Sequence, residues 1–405
     1  MRTGRNGGGT DHAVMRELNR SLVLDVLKQQ SPISRAAIAK ETKLAKPTIS
    51  AIVDALLTEG LATEIGTGKT TAEGGRPPIL LEFNARSQFF AGVHIGVRRT
   101  TVVIANAGGA TLARRDLDTP RSAAADALQV VAEVVDEMLG EVKASRKRVG
   151  GVGVCVPGLV DLEEGVCLLA PNLGWRNVAV RTILGNALGG PPVYVHNTAQ
   201  ACAVAETLQG AAKGAADVVL LYAGTGVGAG LIADERLYLG AMGITGEIGH
   251  VKVEGAVAPC SCGKFGCLET VVSGPALSKA ARAKGLGGDD LALRDLVALA
   301  DSGDATARGL FEEAGRHLGL AASWLVNLFN PEVLVVGGGL AEAGDLLLGP
   351  VRAAVAEFSI PQATEHLAIR PWSLGQDAKV QGAVLVAMQR SERFVRVIFG
   401  AEATR

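Results

Sequence analysis

Apolar residues near the start of the chain recur at helical spacing: Leu18, Leu22, Val23, Val26 and Leu27 form one stripe. Ser31-Pro32-Ile33-Ser34 interrupts it, and Ser34 is placed to cap a short helix running through Ile38 and Ala39. Lys43-Leu44-Ala45 makes the next turn. Pro47 stands in the first turn of a third helix, whose Ile49, Ile52, Val53, Leu56 and Leu57 face inward until Gly60 ends it. Three helices, the last two joined by a tight turn, are the arrangement of a helix-turn-helix. Residues 61–65 and 79–83 read as two strands around a polar loop ending in Gly75-Arg76-Pro77, which makes a wing.

From residue 89 the pattern changes to short apolar runs at 89–95, 101–105, 149–156, 193–196, 218–222, 228–232 and 333–336. Helical stretches separate several of them; 121–143 and 305–330 are the clearest, and 380–389 reads as a closing helix. Strands alternating with helices predict α/β lobes that bind ligands at the strand ends.

Length adds that one core is not enough: 405 residues are two or three times a domain of about 100–200. With 48% hydrophobic and 20% charged residues the chain is too apolar to be disordered. Glycine, 52 residues against an average of about 7%, implies many tight turns and close backbone approaches. No uninterrupted apolar run is long enough to span a bilayer, and residues 1–12 are polar and glycine-rich, so the expectation is a cytoplasmic chain with no membrane contact.

Charge separates the two parts. The first 50 residues hold nine basic and four acidic side chains, a net +5, against −6 on the remaining 355. A basic end on an acidic body is the footprint of a small nucleic-acid reader. On the third helix Lys46, Thr48, Ser50 and Ala51 lie off the apolar stripe and are the candidates for base edges and phosphates, with Arg76 of the wing reaching a phosphate or the minor groove. The plainer reading is a helical hairpin with a solvated basic face.

Four motifs carry candidate chemistry in the body. Gly224-Thr225-Gly226-Val227-Gly228 and Val335-Val336-Gly337-Gly338-Gly339 each follow a strand, and each suits either a phosphate approach or a tight turn. His250, Cys260, Cys262 and Cys267 are spaced His-x9-Cys-x-Cys-x4-Cys, a tetrahedral donor set for a structural zinc with no position left for a catalytic water. The alternative is three small buried thiols. Glu247, in Gly246-Glu247-Ile248-Gly249-His250, and Glu269 just past the last cysteine suit paired hydrogen bonds to neighbouring sugar hydroxyls.

These residues together resemble the ROK family, specifically its transcriptional regulators of the xylose repressor and N-acetylglucosamine repressor type. The match runs in order through Ser34-Arg35-Ala36, Gly75-Arg76-Pro77, Val156-Pro157-Gly158-Leu159-Val160, Ala170-Pro171-Asn172-Leu173-Gly174-Trp175, the segment around Glu247 and the cysteine clip. The resemblance implies a winged helix-turn-helix over residues 1–85 with a disordered tail at 1–11, followed by a two-lobed, actin-like (ribonuclease H-like) sugar-kinase fold. Its small lobe would span 86–193 and be joined by a C-terminal helix at about 379–395, and its large lobe would span 194–378 with the zinc loop. It adds Ser34 and Arg35 to the DNA-contacting set. It also implies a sugar held between the lobes by Gly158, Asn197, Glu247, His250 and Glu269.

Two departures from the family's kinases stand out. Their Asp-x-Gly-Gly-Thr-Lys phosphate loop is here His94-Ile95-Gly96-Val97-Arg98-Arg99, and their catalytic Asn-Asp pair is Asn197-Thr198. Threonine cannot take a proton near neutral pH, and a lost general base costs about 10²- to 10⁴-fold in rate. The expectation is therefore a repressor of carbohydrate genes that is not an enzyme. It would carry zinc, bind double-stranded operator DNA as a homodimer or homotetramer, and respond to a monosaccharide or sugar derivative. The alternatives are an active ATP-dependent ROK sugar kinase with an added DNA-binding domain, and a zinc-stabilised DNA-binding protein without a sugar.

Overall fold

The computed structural model describes residues 8–68, 77–288 and 291–391. The N-terminal unit runs α1 (Gly8–Gln30), β1 (Ile33–Ser34), α2 (Arg35–Thr42), α3 (Lys46–Thr58), β2 (Ala62–Thr67) and β3 (Ile79–Phe83). The strands pair antiparallel in the order β1-β3-β2. Val23, Leu24, Leu27, Ile38, Ile49, Val53, Leu56 and Leu81 are buried between helices and sheet. Leu18 and Leu22, expected on the inward stripe, remain 40% and 43% exposed. Ile33 and Ser34, read as an interruption, pair with Leu81 and Leu80.

Residues 8–11, expected to be a disordered tail, form the first turn of α1; a helix anchored by its Val23–Leu27 core extends backward at little cost per residue. Residues 1–7 lie outside the described residues. Ser34 caps α2 by accepting from Ala37 N, 3.2 Å away. Ser34→Ala should destabilise this unit by about 1 kcal/mol, read as a lower midpoint in a urea titration.

The body contains two five-stranded sheets. The first is built from β4 (Phe89–Ile95), β5 (Arg99–Asn106), β6 (Thr111–Asp118), β7 (Val149–Val156) and β11 (Val193–Asn197), in the order β11-β7-β4-β5-β6. Helices α4 (Ala124–Glu141) and α5 (Val180–Leu188) belong to this lobe, with a small sheet of β8 (Leu159–Asp161), β9 (Val166–Ala170) and β10 (Trp175–Val178). A lobe boundary at 193/194 is corrected by the ladder: Val193 to Asn197 pair parallel with Val152 to Val156, so the chain leaves this sheet only after Asn197.

The second lobe begins with α6 (Thr198–Leu208), β12 (Val218–Ala223), β13 (Val227–Ala233) and β14 (Arg236–Leu237). It continues through α7 (Glu269–Val272), α8 (Gly274–Ala283), α9 (Leu293–Asp301), α10 (Ala305–Phe329), β15 (Val333–Gly337), α11 (Asp345–Phe358), α12 (Pro361–Thr364) and β16 (Ala368–Pro371). Its sheet order is β14-β13-β12-β15-β16.

The last described helix, α13 (Asp377–Arg390), crosses back onto β4 and β7 and packs on α6. Glycine permits that approach: a Cβ on Gly153 would strike the Ala383 carbonyl, and one on Gly382 the Ala201 carbonyl. The N-terminal unit joins the first lobe through Asn84, whose Nδ2 donates to Gly60 O at 3.0 Å, and through Ala107 N donating to Ala85 O at 2.9 Å. Among the described residues no helix is long and apolar enough to cross a membrane.

Candidate functional site: the interlobe cleft and its cysteine clip

A cleft of about 1080 Å³ lies between the lobes. Its floor on one side is the C-terminal edge of three parallel strands, since β4 and β11 both pair with β7. Such an edge gathers loops and backbone donors where a ligand can sit. Gly158 follows β7 with φ +102, and a side chain there would run into the Leu169 carbonyl, so only glycine lets the Pro157–Leu159 turn line the cleft.

Asn197 ends β11 and is tied on both sides: Nδ2 donates to Gly158 O at 2.7 Å, and Oδ1 accepts from Ala199 N at 2.7 Å, capping α6. One amide N–H is left for a ligand. Next to it Thr198 is 6% exposed, and its hydroxyl has no hydrogen-bond partner among the described residues.

The second lobe contributes the two carboxylates. Glu269 opens α7, and its Oε2 accepts from Val227 N at 3.0 Å, which fixes it against the β12–β13 turn. Glu247 precedes the short turn Ile248–His250; burial, and then the nearby Glu269 carboxylate, push it up to about 7. His250 links this pair to the clip: its Nε2 lies 3.7 Å from Glu247 Oε2, while Nδ1 lies 3.5 Å from Cys260 Sγ.

Ligand atoms of His250, Cys260, Cys262 and Cys267 all fall within 4.8 Å of one another, with Cys262 and Cys267 sulfurs 3.7 Å apart. Four soft donors in that space can hold one metal ion, as the spacing predicted. Of the two glycine motifs, Gly224-Thr225-Gly226 is a tight hairpin turn between β12 and β13, closed by Gly224 N donating to Gly226 O at 2.9 Å, and it also faces the cleft. Gly337 ends β15, and Gly339 reaches the cleft wall.

Composition and motif reading missed Lys379. It projects from the start of α13 into the cleft beside His94, and burial followed by the lysine charge drops His94 to about 3, leaving a neutral imidazole. A charged residue immediately ahead of the apolar run 380–389 was the available signal.

The expected DNA-contacting residues are placed as follows. Lys46 and Ala51 are exposed on α3, Thr48 and Ser50 half-buried. The Ser34 hydroxyl is used as a helix cap, and Arg35 pairs with Asp54 Oδ1 at 2.9 Å and Glu64 Oε1 at 3.5 Å. Gly75 and Arg76 lie outside the described residues.

Residues 90–390 match the family model described as "ROK family". The chain belongs to the ROK family. A xylose repressor of Bacillus spizizenii is 28% identical over 94% of this ROK chain and 97% of its own length. A crystal structure of a ROK family transcriptional regulator, a homologue of the Escherichia coli MLC protein, superposes with a TM-score of 0.78 at 29% identity over 92% of this chain and 96% of that one. A ROK family glucokinase from Streptomyces griseus, in complex with glucose and AMPPNP, gives a TM-score of 0.65 at 28% identity, but over only 74% of this chain and 99% of its own. The body thus has the sugar-kinase-like ROK fold. These two regulators extend across nearly the whole ROK chain, whereas the glucokinase leaves about a quarter of it unmatched.

Proposed function

We propose that this ROK protein is a sugar-responsive transcriptional repressor whose N-terminal unit is a winged helix-turn-helix and whose cleft senses a monosaccharide without phosphorylating it. The observation that carries this reading is the near-full-length match to a xylose repressor and to a ROK family transcriptional regulator. Geometry supports the reader: α2 and α3 meet at a tight turn with Lys43 in the left-handed region, and a three-stranded sheet flanks them. Helix α3 would enter the major groove with Lys46, Thr48, Ser50 and Ala51 toward the bases. Ser34 and Arg35 would stand at the backbone, and Arg76 in the wing. The exposed apolar face of Trp324, Leu328 (77% exposed), Phe329 and Tyr238 supports assembly as a homodimer or homotetramer on a two-fold operator.

In the cleft, Glu247 and Glu269 would take ring hydroxyls, assisted by the free N–H of Asn197, the backbone at Gly158 and Nε2 of His250. The clip would take Zn²⁺ through Nδ1 of His250 and the three thiolates; such an ion supplies rigidity to the loop carrying both carboxylates. Phosphoryl transfer is unsupported because Thr198 stands where a base is needed and His94 where an acid would hold the phosphate-bound metal.

The test uses genomic fragments selected by the full-length protein. Lys46→Ala and Arg76→Ala should each weaken binding and reduce the salt dependence of log K by about 1. Unchanged affinity in both would remove the reader. Steady release of ADP at about 1 per second on any sugar would instead establish a kinase.

A further inference from the structure

The cysteines of the chain fall into two groups. Cys155, Cys167 and Cys202 are buried in the lobes, and burial pushes their thiols up, Cys167 to about 11 and Cys202 to about 12, so they stay protonated and inert. Cys260, Cys262 and Cys267 are donors of the clip, where a bound metal keeps each sulfur as the thiolate, the form that attacks peroxide.

Position separates these three. Cys260 and Cys267 are 9% and 2% exposed, whereas Cys262 is half-buried and lines the interlobe cleft beside His250 and Glu269. A small oxidant diffusing into the cleft therefore reaches the clip at Cys262. Its sulfur stands 3.7 Å from that of Cys267, while Cys260 Sγ lies against His250 Nδ1 at 3.5 Å. The turn between Cys262 and Cys267 can close the remaining gap: Gly263 and Gly266 both sit in the left-handed region, and the space beside Gly263 is open.

We propose that Cys262 and Cys267 are a peroxide-sensitive pair whose oxidation to a disulfide opens the clip, and that a sugar in the cleft shields Cys262 from the oxidant. The proposal rests on the sugar-cleft and metal-clip readings above. The Cys262 thiolate attacks one oxygen of hydrogen peroxide, forming a sulfenic acid and releasing hydroxide; the Cys267 thiolate then displaces a second hydroxide from that sulfur. The two thiolates together give up two electrons, which reduce the peroxide to two hydroxide ions. With only His250 and Cys260 left, the clip no longer has the four donors of a structural site and releases its ion. A dithiol reductant reverses the exchange and restores the donor set. Glu247 and Glu269 flank the same loop, so oxidation lowers sugar affinity as loss of the metal does.

The experiment treats full-length, zinc-loaded protein with a small molar excess of hydrogen peroxide and follows zinc release with a chromogenic chelator. It is run with and without a monosaccharide that calorimetry shows to fill the cleft. Zinc should appear in step with a single disulfide, which peptide mass mapping should place between Cys262 and Cys267. Sugar at about ten times its Kd leaves about a tenth of the clefts open and should slow release by the same factor. Cys262→Asp, which keeps an oxygen donor for the metal, should hold its zinc through the same treatment. Zinc retained under peroxide that fully oxidises free N-acetylcysteine, an oxidation product mapped to other cysteines, or equal release with and without bound sugar would each overturn the proposal. Protein that binds no sugar when reduced and zinc-loaded would remove the sugar-cleft reading and the shielding with it, while the mapped disulfide still decides the redox pair. Protein that takes up no zinc would remove the clip reading and this proposal together.

Discussion

Removing the metal from the clip with a chelator, or replacing Cys260 with serine, is expected to lower sugar affinity by about 10- to 100-fold. The coupling between clip and cleft runs through His250. Its ring is held with Nδ1 toward Cys260 and Nε2 toward Glu247, so the donor that orients the ring also sets the wall of the sugar site. Glu269 follows Cys267 by two residues and is fixed to Val227 N, so both carboxylates depend on the same loop. The core of the N-terminal unit is built from residues of α1, α2, α3 and β3, so the unit should retain basal DNA binding after chelation. Sugar titrations on protein whose metal content has been measured would check this. Full affinity in metal-free protein would separate the clip from the cleft.

The second large effect is expected at Glu206. It is fully buried on α6, and its carboxylate accepts from Ala211 N at 2.7 Å, Ser373 N at 3.0 Å, Leu374 N at 2.9 Å and the Ser373 hydroxyl at 3.1 Å. These bonds tie the end of α6 to the segment that leads into α13, the helix that returns to the first lobe. Hydrogen bonds to a charged group contribute about 1.5–3 kcal/mol each, but water can reach part of this segment once the carboxylate is gone. Glu206→Ala should therefore cost about 3 kcal/mol, and Glu206→Gln less, because one amide oxygen still accepts. Melting curves of the two variants would show it; a loss within about 0.5 kcal/mol for alanine, the range of an ordinary surface change, would contradict this role.

Much of this architecture is legible in the sequence for a physical reason. The helix α3 stripe and the strands β4, β7 and β15 are amphipathic or fully apolar segments with sharp ends, and their boundaries fall where the pattern places them. The cysteine clip is legible because its ligands lie close in the chain. Other elements hide. Helix α6 is buried on nearly every side and rich in alanine, so it has no polar face to reveal a period. Strand β6 is a polar edge strand carrying Arg114, Arg115 and Asp116, which reads as loop. Lys379 reaches the cleft only because α13 crosses between lobes, and the double engagement of Asn197 depends on the Gly158 turn brought alongside by the β7–β11 ladder. Contacts of that kind belong to tertiary placement, which no local pattern encodes.

Occupancy of the cleft is expected to change how the N-terminal unit holds DNA, and the coupling between the two sites reads that change. Operator affinity of the full-length protein is determined by fluorescence anisotropy at fixed salt, with and without a saturating monosaccharide that calorimetry shows to fill the cleft. The same measurement is made on Glu269→Gln. Cleft binding should shift operator affinity by about 5- to 150-fold in the unmodified protein, and the shift should shrink or vanish in the variant while basal DNA binding stays. An operator affinity that does not move when calorimetry shows the cleft filled would contradict the account.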